Sequence, residues 1–218
     1  MSATDEEYQL REQLVEHYKK VETLRLNEMS SGNLSVRFGD RMLISPNGAS
    51  AESISADSIV NTSFDGDYFG DRKPSSEWRM HAGIYKKHED AQAIVHTHSD
   101  YCVAVSSHVV ALPGFHYLVG VFGGNDVPCV PYSTFGTQAL ADDAAAALAD
   151  RTACLLGNHG MICKGPTLRR AVKTAQRLEI MCRQYVLSKA LGEPRHLTDE
   201  EWYAFHHRAE EEQYGKSR

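Results

Sequence analysis

The sequence predicts an α/β fold: a mixed sheet covered by helices on both faces. Two observations carry that prediction. Short apolar runs flank tight turns built on Gly, Asn or Asp, and stretches of helical spacing are interspersed among them rather than gathered at one end. Taken in order, Leu10, Leu14, Tyr18, Val21 and Leu24 recur at helical spacing and predict an opening amphipathic helix over about 5–28, stopped by "MSSGN". "LSVRF" and "RMLIS" read as two strands around Gly39-Asp40, "SPNGAS" as a turn, "SIVNTSF" as a strand and "DGDYFGDRKPSS" as a loop. Ser75 or Ser76 is placed to cap a helix over about 77–88. "AQAIVHTH" is a strand, followed by a short helix over 99–107. Residues 108–135, rich in Gly, Pro and aromatics, hold short strands at best, and Ala-rich 136–149 is a helix. "ACLLG" and "GMICKG" form a strand pair around the tight "NHG". Leu168, Ala171, Val172, Ala175, Leu178, Cys182 and Tyr185 mark a long helix ending at Gly192. Thr198 with Glu201 three residues on resembles a capping box for a final helix. The reading is one domain, 1–218, with a helical tail from about 198.

Composition narrows the function classes. The 218 residues carry a formal charge of −6 with no Lys/Arg cluster, which argues against a nucleic-acid surface or an anionic membrane as partner. The five cysteines are odd in number, well separated and set among apolar neighbours, as expected of reduced, buried thiols rather than a disulfide frame or a CxxC metal site. "MSATDEEYQL" lacks a signal-peptide core, and the longest apolar stretch, around 109–122, is interrupted by Pro113, Gly114, His116 and Gly120. A soluble cytoplasmic protein is expected.

Chemistry concentrates in four places. In "VHTHS", alternation along a strand puts His96 and His98 on one side, where both can reach one ion; a pair of hydrogen-bonded histidines at a strand end is the bland alternative. In "LLGNHGMI", His159 stands at a turn, and a third histidine is what a catalytic metal site with an open position needs, although an ordinary reverse turn also explains it. "KPSSEWRMH" supplies a carboxylate, Glu77, in the first turn of a helix; its free N–H groups, beginning with those of Ser75 and Ser76, favour an anion. "SSGN" and "SPNGAS" are two more turns rich in hydroxyl and amide donors, so that together with "PSS" three turns can cradle a phosphate without a lysine.

The run of motifs "SGNLSVR", "ISPNG", "KPSSE", "VHTHS", "GGNDVPCVPYSTFGT" and "NHG", in register from about Leu10 to Gly215, resembles the class II sugar-phosphate aldolases of the fuculose-phosphate aldolase type. That superfamily also holds ribulose-phosphate 4-epimerases, methylthioribulose-phosphate dehydratases and the adducin head domain. The resemblance implies a three-layer α/β/α sandwich with a central mixed, mostly antiparallel sheet, assembled as a cyclic homotetramer with active sites between neighbouring subunits. It makes His96, His98 and His159 the ligands of one divalent ion per subunit, Zn²⁺ first, with Co²⁺, Mn²⁺ and Fe²⁺ as alternatives. Glu77 takes the place of the catalytic carboxylate, which can also approach the metal. Gly32, Asn33, Asn47, Gly48, Ser75 and Ser76 fall where the family holds the substrate phosphate, Asn47 departing from the usual Thr or Ser. Tyr117 falls where aldolases carry a tyrosine acting from the adjacent subunit, and Phe135 and Tyr214 where the aldehyde side of the pocket is shaped. The 4-epimerases carry an aspartate at the place of Tyr117 and "PSSD" where this chain has "PSSE"; adducin-type heads lack the metal histidines.

The resemblance therefore implies metal-dependent retro-aldol cleavage of a phosphorylated sugar, a ketose 1-phosphate of the fuculose, 5-deoxyribulose or 5-methylthioribulose type. The products are dihydroxyacetone phosphate and an aldehyde. Cleavage leaves a carbanion beside a carbonyl, and with no lysine in the motifs for a Schiff base, a Lewis-acidic cation is the electron sink. Glu77 then protonates carbon and Tyr117 handles the proton at the C4 oxygen. The rival readings are an epimerase or dehydratase on the same scaffold, and a noncatalytic assembly module.

Overall fold

Strand alternation dictates the architecture. In the computed structural model, which describes residues 3–214, eight strands form one sheet in the order β3-β2-β1-β4-β8-β7-β6-β5. They are β1 (Asn33–Phe38), β2 (Arg41–Ile44), β3 (Val60–Ser63), β4 (Ala93–Thr97), β5 (Ala111–Leu112), β6 (Val127–Val130), β7 (Ala153–Leu156) and β8 (Gly160–Gly165). Every neighbouring pair is antiparallel except β6 with β7. Successive residues of β4 feed opposite cores: Ala93 and Val95 enter one, Ile94 the other.

Helices cover both faces. On the first lie α1 (Ala3–Thr23), α3 (Asp100–Ser106) and α5 (Leu168–Lys189), whose Leu14, Cys102 and Leu178 are fully buried. On the second, α2 (Trp78–Lys87) packs on α4 (Gln138–Ala147), where Ala141 and Ala144 allow close approach. The last helix, α6 (Asp199–Glu211), lays Trp202 and Phe205 against a 3-10 segment at Tyr117–Phe122; an added Cβ at Gly120 would lie 2.3 Å from the Phe205 ring. This is the mixed α/β sandwich expected.

The boundaries differ in instructive ways. The opening helix stops at Thr23 rather than near 28, because Arg25 adopts φ 55 and turns the chain so that Leu26 is buried. The strand expected from Ser58 starts at Val60, since Ser58 is spent in a single 3-10 turn with its hydroxyl bonded to the Ser55 carbonyl. The long helix ends at Lys189, three residues before Gly192. Thr198 and Glu201 do form the capping box: Glu201 N–H donates to Thr198 Oγ1 and Thr198 N–H to the Glu201 carboxylate. Gly215, the far end of the family resemblance, lies outside the described residues.

Two devices position α2, and with it Glu77. At its C-terminal end the Arg37 guanidinium donates to the carbonyls of Tyr85 (2.6 Å), His88 (3.0 Å) and Ala91 (3.0 Å), satisfying groups that a helix end leaves open. At its N-terminal end the chain is zipped to the end of β2, with Ser75 N–H donating to the Ser45 carbonyl and Asn47 N–H to the Lys73 carbonyl. Among the described residues no helix is long and apolar enough to cross a membrane, and all five cysteines are unbridged.

Candidate metal centre and phosphate-lined cleft

β4 delivers His96 fully buried, opposite Asn33 of β1 on one side and Ile162 of β8 on the other. His98 sits one residue past the end of β4 rather than within it, and its backbone N–H reaches Asn27 Oδ1 at 3.4 Å. His159 comes from the turn joining β7 to β8, where Asn158 takes φ 54 and Gly160 lies so close to β4 that a Cβ there would be 2.3 Å from the Thr97 carbonyl. The three rings pack edge to face with centroids 4.7–4.9 Å apart. Glu77 completes the group, its Oε2 2.9 Å from His96 Nε2 and its Oε1 3.3 Å from His159 Nε2.

These four residues can hold a metal ion. One ligand atom from each lies within 4.8 Å of the others. Tetrahedral coordination at about 2.0–2.2 Å from the ion would set neighbouring donors about 3.3–3.6 Å apart, and the donor atoms, at 2.9 Å (His96 to His98 and to Glu77) and 3.3 Å (His159 to Glu77), reach that with shifts of a few tenths of an ångström. His96 Nδ1 is 2.8 Å from the Met161 carbonyl, which fixes a proton there and turns Nε2 inward toward the other ligands. Glu77 Oε1 is buried without a hydrogen-bond partner, the condition of a donor atom that has a ligand to bind.

Protonation states agree. Burial, reinforced by charge at neighbouring histidines, lowers His98 to about 3 and His159 to about 4, so both are neutral imidazoles at pH 7. Burial alone would raise the Glu77 pKa, but His96, His159 and the Asn33 amide outweigh it and hold the carboxyl well below its usual range. Burial would lower His96 in turn, yet the carboxylate beside it raises it above its ordinary value.

The cluster opens on a cleft of about 380 Å³ lined by Gly32, Asn33, Asn47, Gly48, Ser75, Ser76 and Phe135, seven of the expected substrate-side residues. Gly32 takes φ +76 over the Asn27 side chain, which an added Cβ would meet at 2.4 Å. Two expectations change. Neither Ser75 nor Ser76 caps α2; Glu77 itself occupies the N-cap position with no side-chain cap bond, because its carboxylate is directed to the histidines. Ser75 Oγ instead accepts from the Glu77 N–H at 3.3 Å, and its own N–H is committed to Ser45 rather than free for an anion. Asn33 reaches Glu77 Oε2 with Nδ2 at 3.1 Å while its Oδ1 meets His81 at 2.5 Å, which leaves one N–H of Nδ2 for a ligand.

Tyr117 and Tyr214 do not line this cleft. They lie together about a separate hollow with Phe205 and Arg208, and both side chains are about half exposed. Sequence reading passed over Asn27, His81, Tyr132 and Asn158. Of these His81 carried a signal, standing four residues after Glu77 on the same helix.

Residues 12–186 match the family model described as the class II aldolase and adducin N-terminal domain. A 5-methylthioribulose-1-phosphate/5-deoxyribulose-1-phosphate aldolase of Rhodospirillum rubrum is 42% identical over 192 residues, 88% of this chain and 87% of that one. An L-fuculose phosphate aldolase of Escherichia coli K12 is 38% identical over 197 residues, 90% and 92% of the two chains. Among solved structures, an L-fuculose 1-phosphate aldolase superposes with a TM-score of 0.86 at 35% identity, covering 93% of this chain and 96% of the other.

Proposed function

Because the chain belongs to the class II aldolase and adducin family and is an aldolase, we propose that its substrate is a ketose 1-phosphate of the 5-methylthioribulose, 5-deoxyribulose or fuculose type. The C3–C4 bond is cleaved to give dihydroxyacetone phosphate and an aldehyde. The observation that carries this reading is the buried Oε1 of Glu77, without a hydrogen-bond partner, set among three imidazoles at the floor of the cleft. An ionised carboxylate with an oxygen facing the cleft can take up a proton and pass it to carbon.

A divalent cation on His96, His98, His159 and Glu77, with Zn²⁺ first among candidates, would supply the Lewis acidity that lets a carbonyl take up the charge left at C3. The chain's own residues do the rest. The turns at Gly32, Asn47-Gly48 and Ser75-Ser76 hold the phosphate and fix the substrate before the bond breaks, sparing that entropy cost in the transition state. Glu77 delivers to C3, once the aldehyde has left, the proton that the C4 hydroxyl gave up on cleavage. Phe135, mostly exposed at the cleft rim, bounds the aldehyde side. Tyr117 handles the proton at the C4 oxygen from a neighbouring subunit of a cyclic homotetramer, in which Tyr214 also closes the pocket. That assignment is supported by the two tyrosines being half exposed and outside their own chain's cleft. Five unbridged cysteines suit the reducing cytoplasm.

The test is a panel of ketose 1-phosphates with dihydroxyacetone phosphate as readout. Release of that triose with an equivalent of aldehyde is the expected result. Substrate consumption without it points to a dehydratase or epimerase and overturns the assignment.

A further inference from the structure

Behind Glu77 a file of buried polar side chains runs away from the cleft. Asn33 Nδ2 meets Glu77 Oε2 at 3.1 Å, Asn33 Oδ1 meets His81 Nε2 at 2.5 Å, His81 Nδ1 meets Ser35 Oγ at 2.7 Å, and Ser35 Oγ meets Tyr85 Oη at 2.8 Å. His81, Ser35 and Tyr85 are all within 1% of complete burial, on α2 and β1. The two contacts of Ser35, with His81 and with Tyr85, each admit a donor at either end when considered alone. Together they admit one order. An ionised Glu77 can only accept, so Asn33 turns its amide nitrogen to it and offers its carbonyl oxygen to His81. Asn33 Oδ1 then requires a proton on His81 Nε2. Burial keeps that ring neutral, its pKa lowered to about 3, so Nδ1 is bare and must accept from the Ser35 hydroxyl. Ser35, having given its proton, accepts from Tyr85. Four donors point the same way, ending on one carboxylate oxygen.

We infer that His81 is a positioning residue for the aldol chemistry: by donating from Nε2 it holds the Asn33 amide nitrogen toward Glu77 Oε2, leaving Oε1 as the oxygen that serves the cleft. The inference rests on the reading of Glu77 as the acid–base group. Without the His81 donor, Asn33 can turn its oxygen toward the carboxylate. Two acceptors would then face each other, and Glu77 would lose the bond that divides its oxygens. Ser35 acts one step further back, by keeping the His81 proton on Nε2. Tyr85 only completes the file, since Ser35 donates to His81 with or without it.

Two measurements test this. In the full-length, metal-loaded protein with ¹⁵N-labelled histidine, His81 should show the neutral Nε2–H form, and Ser35→Ala should introduce the Nδ1–H form; a wild-type His81 protonated on Nδ1 overturns the inference. In kinetics, His81→Leu should lower kcat about 10- to 100-fold, with KM within about threefold and metal content unchanged. His81→Gln, which restores an N–H donor, should recover most of the loss. Ser35→Ala should fall between the two, and Tyr85→Phe should stay close to wild type. Combined with Glu77→Gln, His81→Leu should cost nothing more, since it acts through that carboxylate. An equal fold-loss in both backgrounds, or loss of metal with no rescue by glutamine, means that His81 is packing alone and sinks the proposal. If Glu77→Gln itself keeps full turnover, the acid–base reading fails first and independently.

Discussion

Loading the four-residue cluster with Zn²⁺ at pH 5.5 is expected to release about one proton per ion, although three of the ligands are histidines. Metal binding displaces whatever protons the ligands carry, so the count measures the protonation state of the empty site. Three ordinary histidines with pKa near 6.5 would be about nine-tenths protonated at that pH and would release about 2.7 protons. Here burial, with charge at neighbouring histidines, holds His98 near 3 and His159 near 4, so neither carries a proton at pH 5.5. Glu77 is ionised, burial being outweighed by His96, His159 and Asn33. His96 alone stays charged, because the carboxylate 2.9 Å away overcomes its burial. Fewer displaced protons mean a flatter pH dependence. Affinity rises with pH by about tenfold per unit for one proton and about a thousandfold for three, or about 1.4 against 4 kcal/mol. Calorimetric titration at pH 5.5 in two buffers of different ionisation enthalpy counts the protons directly. In Glu77→Gln the count should drop toward zero, since burial then governs His96. Release of two or more protons by the wild-type protein would refute the electrostatic reasoning.

Glu77→Gln is also expected to keep the fold while losing turnover by about 10²-fold or more, the usual scale for a positioned acid–base group, as measured by kcat on the best ketose 1-phosphate. Purified His96→Ala should lose bound metal by elemental analysis, because that ring is fully buried among the other ligands. Gly32→Ala should destabilise the protein by about 1–3 kcal/mol in urea unfolding and raise KM, since φ +76 is strained for alanine and its Cβ would displace Asn27, which holds the His98 backbone. Mixing inactive Tyr117→Phe subunits with inactive Glu77→Gln subunits should restore some activity if neighbouring chains complete one another's sites. Proven subunit exchange with no activity regained would assign both residues to one chain or leave the tyrosine as packing.

Much of this molecule is legible along the chain because its signals are local. The alternation of "AQAIVHTH" announced a strand with one face for each core, and it brought His96 and His98 to one side although the strand closes at Thr97. Thr198 and Glu201 announced their capping box three residues apart. The order of six short motifs carried the family and hence the ligand set. Other features depend on residues distant in sequence, and only the tertiary structure decided them. Helix α2 begins at Trp78 with Glu77 bare at its N-cap because the carboxylate bonds to rings from β4 and the β7–β8 turn, a competition that no capping rule evaluates. Ser75 gives its N–H to Ser45 thirty residues earlier rather than to an anion. Asn33 reads as an amide donor in "SGN", and only the fold decides that its Oδ1 meets His81 at 2.5 Å and its Nδ2 meets Glu77 at 3.1 Å, with one N–H of that nitrogen left over. A buried polar atom takes whichever partner the packing brings within about 3 Å, and that choice is made by the crossing of β1 with α2, not by either segment alone.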